Sequence, residues 1–194
     1  MDREELLERY AAGERNFAGV DLRDENLSDM DLRGINLNGA RLNCARFAYT
    51  LMNNASLINT IMIGVYTERA DFGSAILTGA ILRNSSLFES NFVNCVLEEA
   101  DMRDACLKES TFENANLRNA NLERVAFGEA SFDGANLEGA ILKQLEAVSD
   151  VTWHRANLTN AILDETATLC WDETTTPDGR IKTMLPNGQI VIVK

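Results

Sequence analysis

A large apolar residue recurs at every fifth position over most of the chain, and this period constrains the fold more than any other feature. Starting at Phe17, 25 of 26 successive positions are Leu, Phe or Met, and the exception is Thr67. We call this the central position. Two residues before it, from Ala40 to Ala140, the side chain is Ala, Ser, Thr, Val or Cys and is never charged. Neither the 3.6-residue period of a helix nor the two-residue period of a strand produces this pattern.

Gly or Asn is frequent two residues after the central position, which indicates a tight turn in each five-residue unit. Both residues tolerate the positive φ that a type II turn requires at its second inner position. One series of turn positions contains neither residue, and we predict that this corner avoids the type II geometry expected elsewhere. Its members are Asp29, Tyr49, Arg69, Glu89, Glu109 and Glu129.

A second period shows how many units close one coil. Phe72, Phe92, Phe112 and Phe132 are 20 residues apart, so four units per coil would place their rings in one stack. Coils are expected to stack about 4.8 Å apart, as neighbouring strands do. Each coil can bury its apolar face only against its neighbours, so both ends of the stack need caps.

Several segments resemble the A(D/N)LXX consensus of the pentapeptide repeat family. They include Ala115-Asn116-Leu117 and Ala135-Asn136-Leu137, and the resemblance covers about residues 15–142, followed by residues 156–158 and 161–163. This resemblance implies an all-β solenoid, a right-handed quadrilateral β-helix with four pentapeptides per coil and about seven coils.

The pattern also predicts how the chain is divided. Residues 1–14 are expected to form an N-terminal cap, with a helix over Asp2 to Ala12 that Gly13 ends. The β-helix follows over 15–142. The step from Leu142 to Leu158 is 16 residues, which breaks the register by one and predicts a loop or bulge over 143–155. Residues 156–165 form the last repeats, and residues 166–194 form a C-terminal cap or tail with a strand near Gln189 to Val193.

The sequence contains no recognisable catalytic or metal-binding motif. The one histidine, His154, is interpreted as an ordinary loop residue, and the four cysteines have no CxxC spacing. Cys95 is expected to point inward, while Cys44 and Cys106 lie on different faces. No phosphate-binding glycine loop occurs, and Leu and Phe fill the interior where a pocket would lie. We therefore predict a protein that is not an enzyme, with no catalytic residues, no cofactor and no metal.

Charge limits the classes of partner. The chain has 18 Lys and Arg against 30 Asp and Glu, a formal net charge of −12, which disfavours direct binding to nucleic acid or to an anionic membrane. No apolar run is long enough for a transmembrane helix. We expect a cytoplasmic protein with reduced thiols and a protein partner whose identity the sequence does not give. A homodimer remains an open alternative, since the resemblance implies pairing through the C-terminus in some family members.

One outward-facing set of residues is apolar, and we call it the isoleucine patch. It is predicted to lie on two adjoining faces, where contiguous apolar area marks an interaction site. The alternative is that β-branched side chains simply favour stacked strands. The patch consists of Ile58, Ile61, Ile63, Ile76, Ile81 and Val96.

A second outward set is acidic, and we call it the acidic stripe. One interpretation is a solvated flank, with Arg103, Lys108, Arg118 and Arg124 relieving part of the repulsion. The other is a stripe that mimics a DNA backbone, because acidic pentapeptide repeat proteins of the quinolone-resistance type modulate DNA gyrase in this way. The stripe consists of Glu89, Glu109, Glu129, Glu113 and Asp133.

Overall fold

The computed structural model describes residues 1–146, 149–164, 181–184 and 190–193. From Asn16 to Glu146, single parallel bridges join residues 20 apart, and they recur at every fifth residue. The backbone therefore returns to the same side after four pentapeptides, which gives the right-handed quadrilateral β-helix that the sequence predicts. Within the described residues, no helix has the length and apolar character needed to cross a bilayer.

We number the four faces by their first bridged residue. Face 1 begins at Asn16, face 2 at Asp21, face 3 at Asn26 and face 4 at Asp31. In each pentapeptide an outward bridged residue is followed by the inward central residue, a second outward residue, a turn residue and a small inward residue. Each face therefore presents two outward columns of side chains, with neighbours in one column separated by one coil.

Hydrogen bonding explains why the bridged residue is so often Asn or Asp. The N–H groups of the bridged, central and turn residues donate to adjacent coils, whereas the N–H of the second outward residue has no place in that ladder. At twelve positions the Oδ1 atom of the bridged Asn or Asp accepts this N–H, as Asn91 does from Val93 at 2.9 Å and Asp21 from Arg23 at 3.4 Å. The Asn or Asp thus satisfies a backbone donor that would otherwise depend on water.

The core is the column of central and small residues, as the sequence predicts. Phe72, Phe92, Phe112 and Phe132 stack face to face with ring centroids 5.0, 4.8 and 5.0 Å apart. Trp153 continues the stack, 4.6 Å from Phe132. Buried hydroxyl groups at the small positions donate to main-chain carbonyls. The Ser85 hydroxyl donates to the Met62 carbonyl of the preceding coil at 2.9 Å, and the Thr60 hydroxyl donates to the Leu57 carbonyl of its own pentapeptide at 2.7 Å.

The prediction for the corner that follows face 3 is wrong. Glu89, Glu109 and Glu129 have φ between 51° and 61°, as do the other three turn residues of this corner. The N–H that follows the turn donates to the central carbonyl here as at other corners, for example from Ser110 to Leu107 at 3.1 Å. Closure of the coil therefore imposes positive φ on every corner, and the turn residue accepts this conformation whatever its own preference.

The N-terminal cap is a helix, α1, over Arg3–Ala11. The Asp2 side chain caps it by accepting the N–H of Glu5 at 2.9 Å, and Gly13 follows its end with φ of 97°. Leu6 is fully buried against the first coil, and Leu7 and Tyr10 pack beside it. The helix therefore covers apolar surface at the end of the stack.

The register break is narrower than the predicted loop over 143–155. Glu146 still pairs with the residue 20 before it, whereas Thr152 pairs with Ser131, 21 before it, so one extra residue lies between them. Trp153 keeps the interruption short because its ring takes the next place in the aromatic stack. The coil then continues, and strand β1 (Ile141–Leu142) pairs in parallel with strand β2 (Ile162–Leu163).

Strand β4 (Ile190–Val193) confirms the predicted C-terminal strand. Its backbone pairs in antiparallel register with strand β3 (Ile181–Met184). The expected cap or tail over 166–194 lies mostly outside the described residues.

Candidate interaction surfaces

The isoleucine patch lies on faces 1 and 2, on both sides of the corner between them. On face 2, Ile61 is bridged to Ile81, and Ile63 stands beside Ile61 in the second outward column. On face 1, Ile76 is bridged to Val96, and Ile58 lies in the second column. Ile76 is 40% exposed and the other members are half-buried. The six side chains therefore form adjoining apolar columns on the protein surface.

The patch also changes the hydrogen bonding of the backbone beneath it. Ile61, Ile76, Ile81 and Val96 occupy bridged positions where Asn or Asp would accept the N–H two residues later. The corresponding N–H groups belong to Ile63, Thr78, Arg83 and Glu98. None of these four backbone N–H groups donates a hydrogen bond to another described residue. These four positions therefore share the loss of this backbone hydrogen bond with other bridged positions that lack Asn or Asp, and they differ from the polar ones among them in placing an apolar side chain at the surface.

Ion pairs flank the patch on face 2. Towards the N-terminus, Arg41 lies 3.2 Å from Asp21. Towards the C-terminus, Asp101 accepts from Arg83 at 2.5 Å and from Arg103 at 2.8 Å. Burial opposes ionisation of Asp101, but the hydrogen bonds from Arg103 and Arg83 outweigh it and hold its pKa well below the usual range.

The acidic stripe is partly neutralised, though not by the arginines expected from the sequence. Glu89 pairs with Arg69 on the same corner, which neutralises its charge. Asp133 accepts the backbone N–H of His154 at 2.8 Å and lies 3.2 Å from Nδ1 of its ring. Arg103 and Arg124 instead pair with acids of face 2 and its corner; Arg124 Nε, for example, lies 2.6 Å from Asp104.

Three members of the stripe keep an uncompensated charge. Glu109, Glu113 and Glu129 form no salt bridge with the part of the chain that the structure describes. They lie at the corner after face 3 and on face 4, on the side of the coil away from the isoleucine patch.

A groove on face 3 is a surface feature that the sequence reasoning missed. It has a volume of about 560 Å³ and runs across four coils, from Asn26 and Ser28 to Ser86 and Phe88. Tyr66 lies in the middle of it and is 57% exposed. Tyr66 and Phe88 stand at outward positions where small polar residues are common, and this could have indicated the groove. The apolar patch predicted from the sequence contained only Ile and Val, so these two aromatic residues were left out of it.

The groups with reactive side chains are dispersed. Burial raises the pKa of the Cys95 thiol to about 12, and Cys95 points inward as predicted. Cys44 is exposed at the corner after face 2 and Cys106 lies on face 3, also as predicted, whereas Cys170 lies outside the described residues. His154 is an outward residue of face 4 bonded to Asp133, and not a loop residue. No group of three potential metal ligands occurs in the described ranges.

Comparison with known protein families gives two matches. Residues 16–53 match the model described as pentapeptide repeats (8 copies), and residues 65–142 match the model described as pentapeptide repeat region. No curated protein sequence matches the chain.

Solved structures of similar proteins include HetL, a pentapeptide repeat protein involved in heterocyst differentiation regulation from the cyanobacterium Nostoc sp. strain PCC 7120. It is 24% identical over 98% of this chain and 100% of its own, with a TM-score of 0.32. The plasmid-mediated fluoroquinolone resistance protein QnrB1 is 16% identical over 78% of this chain and 86% of its own, with a TM-score of 0.48. A protein from the Arabidopsis thaliana thylakoid lumen is 29% identical over 60% of this chain and 67% of its own, with a TM-score of 0.39.

Proposed function

Because the chain belongs to the pentapeptide repeat family, we propose that it is a non-enzymatic interaction module that binds a protein partner through the isoleucine patch. Its central and small residues fill the interior of the coil, so the outward columns provide the surface for recognition. Contiguous apolar area on such a surface is typical of protein-binding sites.

The observation that carries this proposal is the exchange of Asn or Asp for Ile or Val at four bridged positions. At twelve other bridged positions the Asn or Asp side chain accepts a backbone N–H, and each such bond contributes about 0.5–1.5 kcal/mol. Ile61, Ile76, Ile81 and Val96 lack this bond and place apolar atoms at the surface. Departures from the local rule of a fold concentrate at functional sites.

The alternative explanation is that β-branched residues favour stacked strands. That explanation gives no reason for the clustering, because β-branched residues could serve equally well on any face. Within residues 16–146, the five Ile and Val residues at bridged positions all lie on faces 1 and 2, and four of them lie on neighbouring coils. Leu51 on face 4 and Tyr66 on face 3 are the other large apolar or aromatic bridged residues of this range.

A paired set of variants tests the proposal. The double variant Ile76→Asn/Val96→Asn removes apolar area from the patch and introduces the residue that the fold uses elsewhere at these positions. The control is Leu51→Asn, a bridged leucine of face 4 that lies outside the patch and is 39% exposed, close to the 40% of Ile76. Proteins captured from native cell extract by the immobilised protein should be lost with the double variant and retained with the control. Equal capture by native protein, double variant and control would refute the proposal.

DNA mimicry by the acidic stripe is a second proposal, supported by the three uncompensated carboxylates of Glu109, Glu113 and Glu129. It is weaker, because Glu89 is paired with Arg69 and Asp133 is engaged by the backbone N–H of His154. A gyrase supercoiling assay tests it: a mimic inhibits the native reaction, and Glu109→Gln/Glu113→Gln/Glu129→Gln abolishes the inhibition. No effect of the native protein on supercoiling would exclude this function.

A further inference from the structure

We propose that face 2 pairs with face 2 of a second copy of this chain, in antiparallel orientation, around Ile61 and Ile81. The inference rests on the proposed function, since it names the partner for the face 2 half of the isoleucine patch. It leaves Ile76 and Val96 on face 1 free for another protein.

Net charge selects the face on which two copies can meet. With a formal charge of −12, the molecules repel one another over most of their surface. The outward columns of face 2 from Asp21 to Glu123 are an exception, because they contain four arginines and three acidic residues. Three of the four outward residues at its centre are apolar, Ile61, Ile63 and Ile81, so they lose least solvation when covered. The fourth, Arg83, which the antiparallel arrangement places opposite Ile63 of the second copy, is paired with Asp101 within its own chain.

The order of residues along face 2 is self-complementary about a two-fold axis. The bridged column reads Asp21, Arg41, Ile61, Ile81, Asp101 and Asn121. An axis across the rod, between the levels of Ile61 and Ile81, places each column opposite itself with the levels reversed. Ile61 then faces Ile81 of the second copy, and Arg41 faces Asp101. In the second outward column, Arg23 faces Glu123.

Neighbouring registers oppose like charges. Moving the axis to the level of Ile61 places Asp21 opposite Asp101 of the second copy, and moving it to the level of Ile81 places Arg83 opposite Arg83. Like charges across an interface are a strong source of specificity. The charges therefore select the register centred between the two isoleucines.

The parallel orientation exchanges the two edges of the face. It opposes Asp21 and Asp101 only to the arginines with which they already pair within their own chain, Arg23 and Arg103. It also brings Asp104 on one corner against Glu99 on the other corner of the second copy. The antiparallel arrangement instead brings Asp24 opposite Arg124, because both lie on the corner after face 2. Arg41, an exposed cation beside Asp21, gains an acidic partner only in the antiparallel arrangement.

Sedimentation equilibrium of charge-reversal variants tests the geometry. Arg41→Glu and Asp101→Arg should each weaken dimerisation at least about tenfold, because each homodimer then contains two repulsive contacts. An equimolar mixture of the two variants should restore a dimer, since both contacts between positions 41 and 101 in the mixed dimer then join opposite charges. The pair Arg23→Glu and Glu123→Arg gives the same test without disturbing the buried side of Asp101, and circular dichroism establishes that each variant is folded.

Two results would overturn the inference. One is a native protein that remains monomeric at roughly 100 μM, a concentration at which even a weak dimer with micromolar Kd is populated. The other is a dimer that neither single charge reversal weakens, or that the mixture fails to restore. In either case, loss of captured protein with Ile76→Asn/Val96→Asn would still support the proposed function, so the two failures are distinguishable.

Discussion

Replacing Glu109 with Asn should stabilise the protein, because the corner after face 3 holds glutamate in a left-handed conformation. Glu109 has φ of 59°, and Glu89 and Glu129 on the same corner have φ of 51° and 61°. An ordinary L-residue pays roughly 1–2 kcal/mol for this conformation, whereas Asn tolerates it. We expect Glu109→Asn to raise the free energy of unfolding by about 1 kcal/mol, or the Tm by about 2–4 °C.

The control is Glu113→Asn. It removes a negative charge from the same acidic stripe, but Glu113 is a second outward residue and lies outside the positive-φ positions. Thermal unfolding of both variants at the same ionic strength separates relief of backbone conformation from relief of charge repulsion. Equal stabilisation by the two substitutions would show that backbone conformation has no part in the effect, and would refute the reasoning.

Three further predictions follow from the core and the ion pairs. Phe112→Leu should lower the free energy of unfolding by about 1–3 kcal/mol, because two stacked ring contacts worth about 0.5–1.5 kcal/mol each are lost; chemical denaturation measures this. In native protein at pH 8, iodoacetamide should modify Cys44 and spare Cys95, whose pKa is raised to about 12 by burial, and peptide mass spectrometry reads the difference. The pKa of Asp101 is lowered on folding, so its ion pairs stabilise the protein above the unfolded pKa near 4 and are lost as pH falls further. The destabilisation caused by Asp101→Asn should therefore shrink between about pH 5 and pH 2, as followed by denaturant unfolding at each pH.

The interior of the protein was predictable because its pattern is redundant. A large apolar residue at every fifth position marks the inward side of each unit many times over. The 20-residue spacing of Phe72, Phe92, Phe112 and Phe132 is sufficient to give four units per coil. The turn residues were less informative. Coil closure imposes positive φ on Tyr49 and Glu109 as well as on glycine, so tertiary geometry overrides the local preference from which the corner was predicted.

The break near residue 150 shows a second limit of periodicity. A count of residues locates a change of register, but it cannot tell a long loop from a single inserted residue. In the structure Trp153 stacks on Phe132, so the interruption is a single inserted residue. Because tryptophan does not occur in the repeat pattern, its place in the stack could not be predicted from the sequence.

The surface was predictable only in outline. The isoleucine patch follows from register alone, because the alternation of inward and outward positions fixes which residues face out. Pairing between charged side chains depends on rotamers and on the relation between coils. For this reason the sequence did not reveal that Arg124 pairs with Asp104, or that Tyr66 and Phe88 line one groove.

The most direct test of the central claim is the free energy of unfolding of Ile76→Asn/Ile81→Asn. If the isoleucines serve binding, each Asn gains a backbone hydrogen bond worth about 0.5–1.5 kcal/mol, which offsets the partly buried apolar area that it removes. We predict a stability within about 1 kcal/mol of the native protein. A loss of about 4 kcal/mol or more, as for two large-to-small substitutions in a core, would show that these side chains hold the coil together and would contradict their assignment to a binding surface.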